Sequence, residues 1–409
     1  MTETLEALYQ KIMEQERKEG RRIMHEPGTF SLDCLLHPEN CAPVYVTGNC
    51  QDCREPEACH VSCDFDAIGR ENGHGTVDPA RCVGCGACVE LCRQGHFREN
   101  REIYPVLEKL CDRTKPVYAL VAPAFAEQFG TGVLSEKLRA ALKRLGFAGM
   151  LEVALFADIL TLKEALEFRE HVHKKGDFQL TSCCCPVWIA MIRKDYKQLL
   201  PHVPGAVSPM IAAGRMTKKL HPDAVTVFIG PCMAKKKEAR EPDIADAVDY
   251  VLTFQEMQEI FDAAGIHPEE LTGETKEHAS RAGRIYARAG GVSEAVAGTV
   301  RQLSGADGIC VQAECADGIP SCRELFEKIR TKSSDANFFE GMACKGGCVG
   351  GPKAILPKEE GMAAVNAHAG QAWYETPLLN PAVKEILHAS GYRDVRDFIE
   401  NSSLLVRDL

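Results

Sequence analysis

The chain has 409 residues with 58 acidic against 48 basic side chains, a net charge of −10 that argues against a nucleic-acid-binding surface. Apolar residues make up 45% and charged residues 26%, the composition of a soluble globular protein, and the length suggests two or three domains. Twenty cysteines in a chain whose N-terminus lacks the apolar segment of an export signal read as metal ligands in a reducing cytoplasm, not as a disulfide framework.

Leu5, Leu8 and Ile12 recur at helical spacing and predict an amphipathic helix to about Arg22. It opens a lead segment, residues 1–47, that also holds Cys34 and Cys41 with His37 between them. These two are expected to be packed thiols covering the next unit; the other reading is a metal site completed by a remote ligand. Residues 48–104 form a distinct cysteine-dense unit. Cys82, Cys85, Cys88 and Cys92 have the C-x2-C-x2-C-x3-C spacing of a bacterial ferredoxin, with Arg93 where proline is customary. Short gaps wrap three thiolates around one face of a cube, and the fourth cysteine reaches the other cluster. Cys50, Cys53, Cys59 and Cys63 repeat the pattern with three additional residues before the third cysteine, and Ala67-Ile68 follows. Exchanging the fourth ligands gives one 4Fe-4S set of Cys50, Cys53, Cys59 and Cys92, and another of Cys82, Cys85, Cys88 and Cys63. Paired C-x2-C units also build structural zinc sites. Eight cysteines with two x3-Cys endings fit two cubanes better, and the unit resembles a two-cluster ferredoxin domain.

Cys111 falls in the apolar connector after Tyr104 and reads as core. From Lys115 onward short β-rich runs alternate with helical ones. Pro116–Val121, Ala224–Ile229 and Gly308–Gln312 read as buried strands; Leu134–Leu145, Asp158–His171, Pro209–Leu220, Phe254–Ala264 and Ser321–Thr331 read as helices. The alternation implies an α/β fold with a mainly parallel sheet, whose site lies at the carboxyl ends of strands. The longest apolar stretch, around Val117–Phe125, is too short to span a bilayer.

Three segments in this region place thiols beside Pro or Gly, where the chain turns sharply and can approach an inorganic cluster. They are Thr181-Ser-Cys-Cys-Cys-Pro-Val-Trp188, Gly230-Pro-Cys-Met-Ala-Lys-Lys-Lys-Glu238 and Glu340-Gly-Met-Ala-Cys-Lys-Gly-Gly-Cys-Val-Gly-Gly351. A 4Fe-4S cluster takes four thiolates. Cys232, Cys344 and Cys348 supply three, and the triple cysteine supplies the fourth with at least one thiol left over. A spare thiol beside a metal site is a candidate for chemistry.

In order and spacing these segments resemble the three active-site motifs of the FeFe-hydrogenases, over roughly residues 115–409. The resemblance implies a two-lobed α/β catalytic domain preceded by the small α+β ferredoxin-like domain. Between the lobes it implies an H-cluster, a 4Fe-4S cluster joined through one cysteine sulfur to a two-iron unit with CO, cyanide and a bridging dithiolate. On the same ground Cys348 is the bridge, and Cys232 and Cys344 are terminal ligands. Family members carry two cysteines before Pro-x-Trp, whereas this chain carries three. Counting back from Pro186-Val187-Trp188 makes Cys185 the ligand and Cys184 the proton-transfer thiol; counting forward from Thr181-Ser182 makes them Cys184 and Cys183. The backward count is preferred because Pro-x-Trp opens the next helix and fixes the geometry.

By the same resemblance Lys235 hydrogen-bonds a cyanide ligand, Met342 packs against the diatomic ligands, and Ala122 and Pro123 line the pocket. Pro231 and Ser208 complete the expected cofactor-binding set. Glu164 and Glu167 match carboxylates that relay protons, and their spacing puts both on one helical face. Gly290–Ala295 matches a further family segment. The chain departs at Pro204, where many members carry a relay serine. Cys310, Cys315 and Cys322 lack tight spacing and are expected to be buried thiols. The expected function is a cytoplasmic hydrogenase exchanging electrons with a soluble ferredoxin and loaded by maturation proteins, with no membrane or nucleic-acid partner. The alternatives are a hydrogen sensor of low turnover and a hydrogenase-like iron-sulfur assembly protein.

Overall fold

The computed structural model describes residues 38, 41–46, 53, 58–71, 74–181, 184–273, 276, 278–304 and 309–407. The expected N-terminal helix, Cys34, Cys50 and Cys183 lie outside the described residues. In the front unit β1 (Val44–Val46) is bonded to a later strand, and β2 (Ile68–Glu71) pairs antiparallel with β3 (His74–Val77). The partner of β1 is β4 (Phe97–Glu99), also antiparallel. Short helices Ala58–Val61 and Ala87–Leu91 complete the unit. Its small core of Val44, Val46, Ala67, Ile68 and Phe97 includes Met233 from the large domain.

That shared core has a polar counterpart. Lys236 Nζ donates to Asn100 O at 2.7 Å and to Glu256 Oε2 at 2.8 Å, and Glu256 Oε1 accepts from Glu102 N at 2.9 Å. Glu102 Oε2 in turn accepts from Val251 N at 2.7 Å and from Arg240 at 3.2 Å. Lys236, Glu102 and Glu256 are all buried, and charges out of water are tolerated only when paired and hydrogen-bonded like this.

The large domain holds two parallel sheets. β5 (Val117–Val121) and β6 (Gly149–Glu152) belong to the larger one; β7 (Gln179–Leu180) belongs to the smaller. The larger sheet continues with β8 (Val225–Gly230) and β9 (Tyr250–Thr253), in the order β6-β5-β8-β9. All six residues of β8 are buried, which explains its unbroken apolar run. The smaller sheet has the order β10-β11-β7, with β10 at Ala313–Asp317 and β11 at Phe338–Met342. Helices start where their sequence signals lie. Thr253 and Glu256 form a capping box for Phe254–Ala264, and Pro209 follows the Ser208 cap of the next. Among the described residues no helix is long and apolar enough to cross a membrane.

Trp188 and Phe326 stack at 4.2 Å in the core of the smaller sheet. Trp188 lies flat on Gly341, where an added Cβ would fall 1.9 Å from a ring carbon. Gly341→Ala is expected to lower stability by about 1–3 kcal/mol, because the overpacked core must shift; the midpoint of denaturant unfolding measures it.

Several expectations need correction. The third strand is Ala313–Asp317 rather than Gly308–Gln312: as an edge strand it buries one face only, and its register to Phe338–Met342 decides the pairing over local apolarity. The helix expected from Asp158 begins at Val153, because β6 runs into it without a loop and its wholly buried first turns lack amphipathic period. The connector around Cys111 is a helix, Ile103–Asp112, and Cys111 lies on its exposed side. Cys322 is buried as expected, but Cys310 and Cys315 are exposed. Cys41 is disulfide-bonded and not a free thiol.

Candidate metal centre

The carboxyl ends of the parallel strands converge on one cavity. β5 delivers Ala122 and Pro123, β8 delivers Pro231 and Cys232, and β11 delivers Met342 and then Cys344. The turn after β7 brings Cys184, Cys185 and Pro186. Lys235 and Cys348 complete the wall. The third motif makes its turn through Gly346 and Gly347, whose φ values of 84° and 86° suit glycine alone. At Gly347 a Cβ would also meet Ala289 N at 2.5 Å.

The thiols divide by environment. Cys185 caps the helix Pro186–Asp195, with proline as its first residue, and its charge reaches the thiols of Cys232, Cys344 and Cys348 alike. Cys184 answers first to its own burial and then to the charge of Glu164, ahead of any neighbouring thiol. Burial pushes the Cys232 thiol up to about 11 and that of Cys348 up to about 12, and neighbouring thiols add to both. Cys344 is raised well above its ordinary range for the same reasons. Thiolates so disfavoured in a dry cavity become stable when a cationic metal compensates them, and binding releases their protons. Among the described residues no three His, Cys, Asp or Glu side chains converge closely enough for a single metal ion. Cys185, Cys232, Cys344 and Cys348 ring a volume instead, which suits a polynuclear cluster.

Lys235 is a fixed cation in this wall. Its Nζ lies 2.5 Å from Glu238 Oε2, with both side chains buried. Burial disfavours the ammonium, but Glu238 outweighs it and holds the lysine above its usual pKa. Ser208, expected against the cofactor, is buried as the N-cap of Pro209–Leu220, its hydroxyl accepting from Ile211 N at 3.4 Å. Its neighbours Pro209 and Met210 line the cavity instead. Glu164 is fully buried on the helix Val153–His171, and Glu167 is ion-paired with Lys163 one turn before it.

Tyr286 lines the cavity and was not foreseen. Its hydroxyl sits 2.7 Å from Thr161 Oγ1, and burial plus the charges of Glu164 and Cys184 raise its pKa. The only sequence signal for it was its place just before the Gly290–Ala295 segment.

A second cavity is lined by Cys63, Cys82, Cys85 and Cys88. Burial pushes Cys85 up to about 11 and Cys88 up to about 12, so the same argument for a cationic cluster holds. Cys59 and Cys92 pack against the adjoining core, and Cys53 is partly buried. The two cavities are neighbours, since Cys63 and Cys85 of one and Cys185 and Cys232 of the other pack against the same apolar core.

Comparison with known proteins agrees with this geometry. Residues 115–352 match the model of the iron only hydrogenase large subunit, C-terminal domain, and residues 76–95 match a 4Fe-4S binding domain. The chain is 30% identical to the periplasmic Fe hydrogenase large subunit of Nitratidesulfovibrio vulgaris, covering 69% of this chain and 86% of that one. It is 28% identical to the NADP-reducing hydrogenase subunit HndD of Solidesulfovibrio fructosivorans, over 66% of this chain but only 55% of that protein's length. A probable cytosolic Fe-S cluster assembly factor of Drosophila sechellia matches at 24% over 68% of this chain and 72% of its own. FeFe-hydrogenase HydA1 of Chlamydomonas reinhardtii shares the fold, with a TM-score of 0.60 at 23% identity over 74% of this chain and 97% of that one. With the family model matching more than half of its length, this chain belongs to the iron-only hydrogenase large-subunit family.

Proposed function

We propose that the protein is an FeFe-hydrogenase that reversibly reduces protons to dihydrogen at an H-cluster held by Cys185, Cys232, Cys344 and Cys348. One observation carries the reading: the cavity holds four grouped thiols and, beyond them, a fixed ammonium, a methionine and a spare thiol. A plain 4Fe-4S cluster needs the four thiolates and nothing more. The H-cluster supplies the two-electron redox chemistry.

The chain's own residues supply the rest. Lys235, pinned by Glu238, presents positive charge to an anionic diatomic ligand in a dry pocket. Met342, Ala122 and Pro123 exclude water from the same wall. Cys184 holds the last proton and exchanges it with the cavity; a thiol's ordinary pKa near ~8.5 suits that step better than a hydroxyl's. Glu164 is the carboxylate behind it. Cys82, Cys85, Cys88 and Cys63 would hold one 4Fe-4S cluster and Cys50, Cys53, Cys59 and Cys92 a second, and the two would supply electron transfer to the cavity. The packing of Cys63 and Cys85 on the same apolar core as Cys185 and Cys232 supports placing the first of these next to the active-site cavity. A soluble ferredoxin is the proposed partner, dedicated maturation proteins install the two-iron unit, and the cysteine content supports a cytoplasmic location.

The similarity to an Fe-S cluster assembly factor supports a second reading, a non-enzymatic iron-sulfur protein. Infrared spectroscopy and iron analysis of the matured protein separate the two. The hydrogenase reading expects CO and cyanide stretching bands and about 14 irons per chain, from three cubanes and one two-iron unit. Absence of those bands after maturation, with iron near 12, would sink it in favour of the second.

A further inference from the structure

On its outward side the carboxylate route from Cys184 meets two obstacles: Glu167 is tied up by Lys163, and Pro204 has no proton to pass. A different set of protic groups reaches from the same cavity to the surface. Glu340 is fully buried on β11, two residues before the cavity-lining Met342 and so on the same face of the strand. Its charge acts on the thiols of both Cys184 and Cys348. Glu340 Oε1 accepts from Gly290 N at 2.8 Å; Oε2 accepts from Ser293 N at 2.8 Å and from Ser293 Oγ at 2.7 Å. Ser293 Oγ lies 3.3 Å from Cys315 Sγ, which is itself 3.9 Å from Glu340 Oε2. Cys315 is exposed to solvent on the edge strand β10.

We propose that Glu340, Ser293 and Cys315 form a second proton path between the cluster cavity and solvent, parallel to the one through Glu164. Inward, solvent gives a proton to Cys315 Sγ as the thiol proton passes to Ser293 Oγ. The serine's own proton moves to Glu340 Oε2, and Glu340 passes it to Cys184 as that thiol gives up its own, which returns Glu340 to a carboxylate. Serine and cysteine each end with the proton count they began with, and reorientation of their S–H and O–H bonds resets the chain. The alternative use of an exposed cysteine is as a nucleophile or redox sensor. Partial burial of its sulfur against Ser293 and the charge of Glu340 push the Cys315 thiol up to about 11, which leaves little thiolate at neutral pH.

The proposal takes Cys184 as the inner end of the path, as in the hydrogenase reading, but its test does not need turnover. Protein carrying its 4Fe-4S clusters and no two-iron unit is moved into D2O, and conversion of the Cys184 S–H infrared band to S–D is followed. Loss of the band in Cys184→Ala identifies it. Two parallel paths predict that Glu164→Gln alone slows exchange only modestly, whereas Glu164→Gln with Ser293→Ala slows it by about a hundredfold. Ser293→Thr, which restores the hydroxyl in the double variant, recovers the rate. If Glu164→Gln alone stops exchange, or if Ser293→Ala and Cys315→Ala add nothing to it, the second path does not exist. Failure of the hydrogenase reading has a separate signature, absence of CO and cyanide bands after maturation, and leaves this result intact.

Discussion

Cys184→Ala is expected to keep every cluster and every CO and cyanide band, yet to lose hydrogen turnover by about two to four orders of magnitude. The alanine leaves the four grouped thiols untouched and removes the spare thiol on which the charge of Glu164 acts. Cys184 lines the cavity, but the largest outside charge upon it is that carboxylate rather than its fellow cysteines. Cys184→Asp is expected to restore part of the rate, since a carboxyl also carries a proton. Near-normal turnover in a cluster-replete Cys184→Ala protein would falsify the assignment and shift the step to Tyr286 or to water.

Cys348→Ala should act on the metal rather than on the proton. Replacing this thiol removes the proposed bridge, and the active-site irons, about 6 of about 14, are expected to be lost while the front clusters remain. Iron analysis and electron paramagnetic resonance of the reduced protein distinguish the two populations. Cys185→Ala, Cys232→Ala and Cys344→Ala should behave alike. The informative contrast is within the triple cysteine. Loss of the active-site signal in Cys184→Ala and its retention in Cys185→Ala would mean that the motif must be counted from Thr181 instead.

Much of this site was legible because cluster chemistry is written in local sequence. Cys344, Cys348 and the glycines around them follow one another closely, so motif spacing alone brings them together. Cys232 was legible for a different reason, since a wholly buried strand ending in Gly-Pro-Cys announces both its fold and its position at a sheet's carboxyl edge. Tyr286, Ser293 and Glu340 were not, as sites in their own right. Each is an ordinary polar residue whose meaning comes from a partner at a distance: Tyr286 lies 125 residues from Thr161, and Ser293 lies 47 from Glu340. Ser208 failed the other way, because a serine before proline at a helix start satisfies a capping role that spacing cannot tell from a ligand-facing one. The edge strand Ala313–Asp317 was missed because polar residues on its open face carry no apolar pattern, and only its partner strand specifies it.

The join between the front unit and the large domain bears on where the chain can be cut. Glu102 accepts from the backbone of β9 at Val251, and Asn100 O accepts from Lys236. A catalytic fragment beginning at Lys115 would therefore leave Lys236 and Glu256 with part of their lining stripped away, and would uncover Met233. The front unit is thus no detachable cartridge. Its polypeptide acts as part of the scaffold, so minimal versions of the protein should begin upstream of Glu99 or carry compensating substitutions at Lys236 and Glu256.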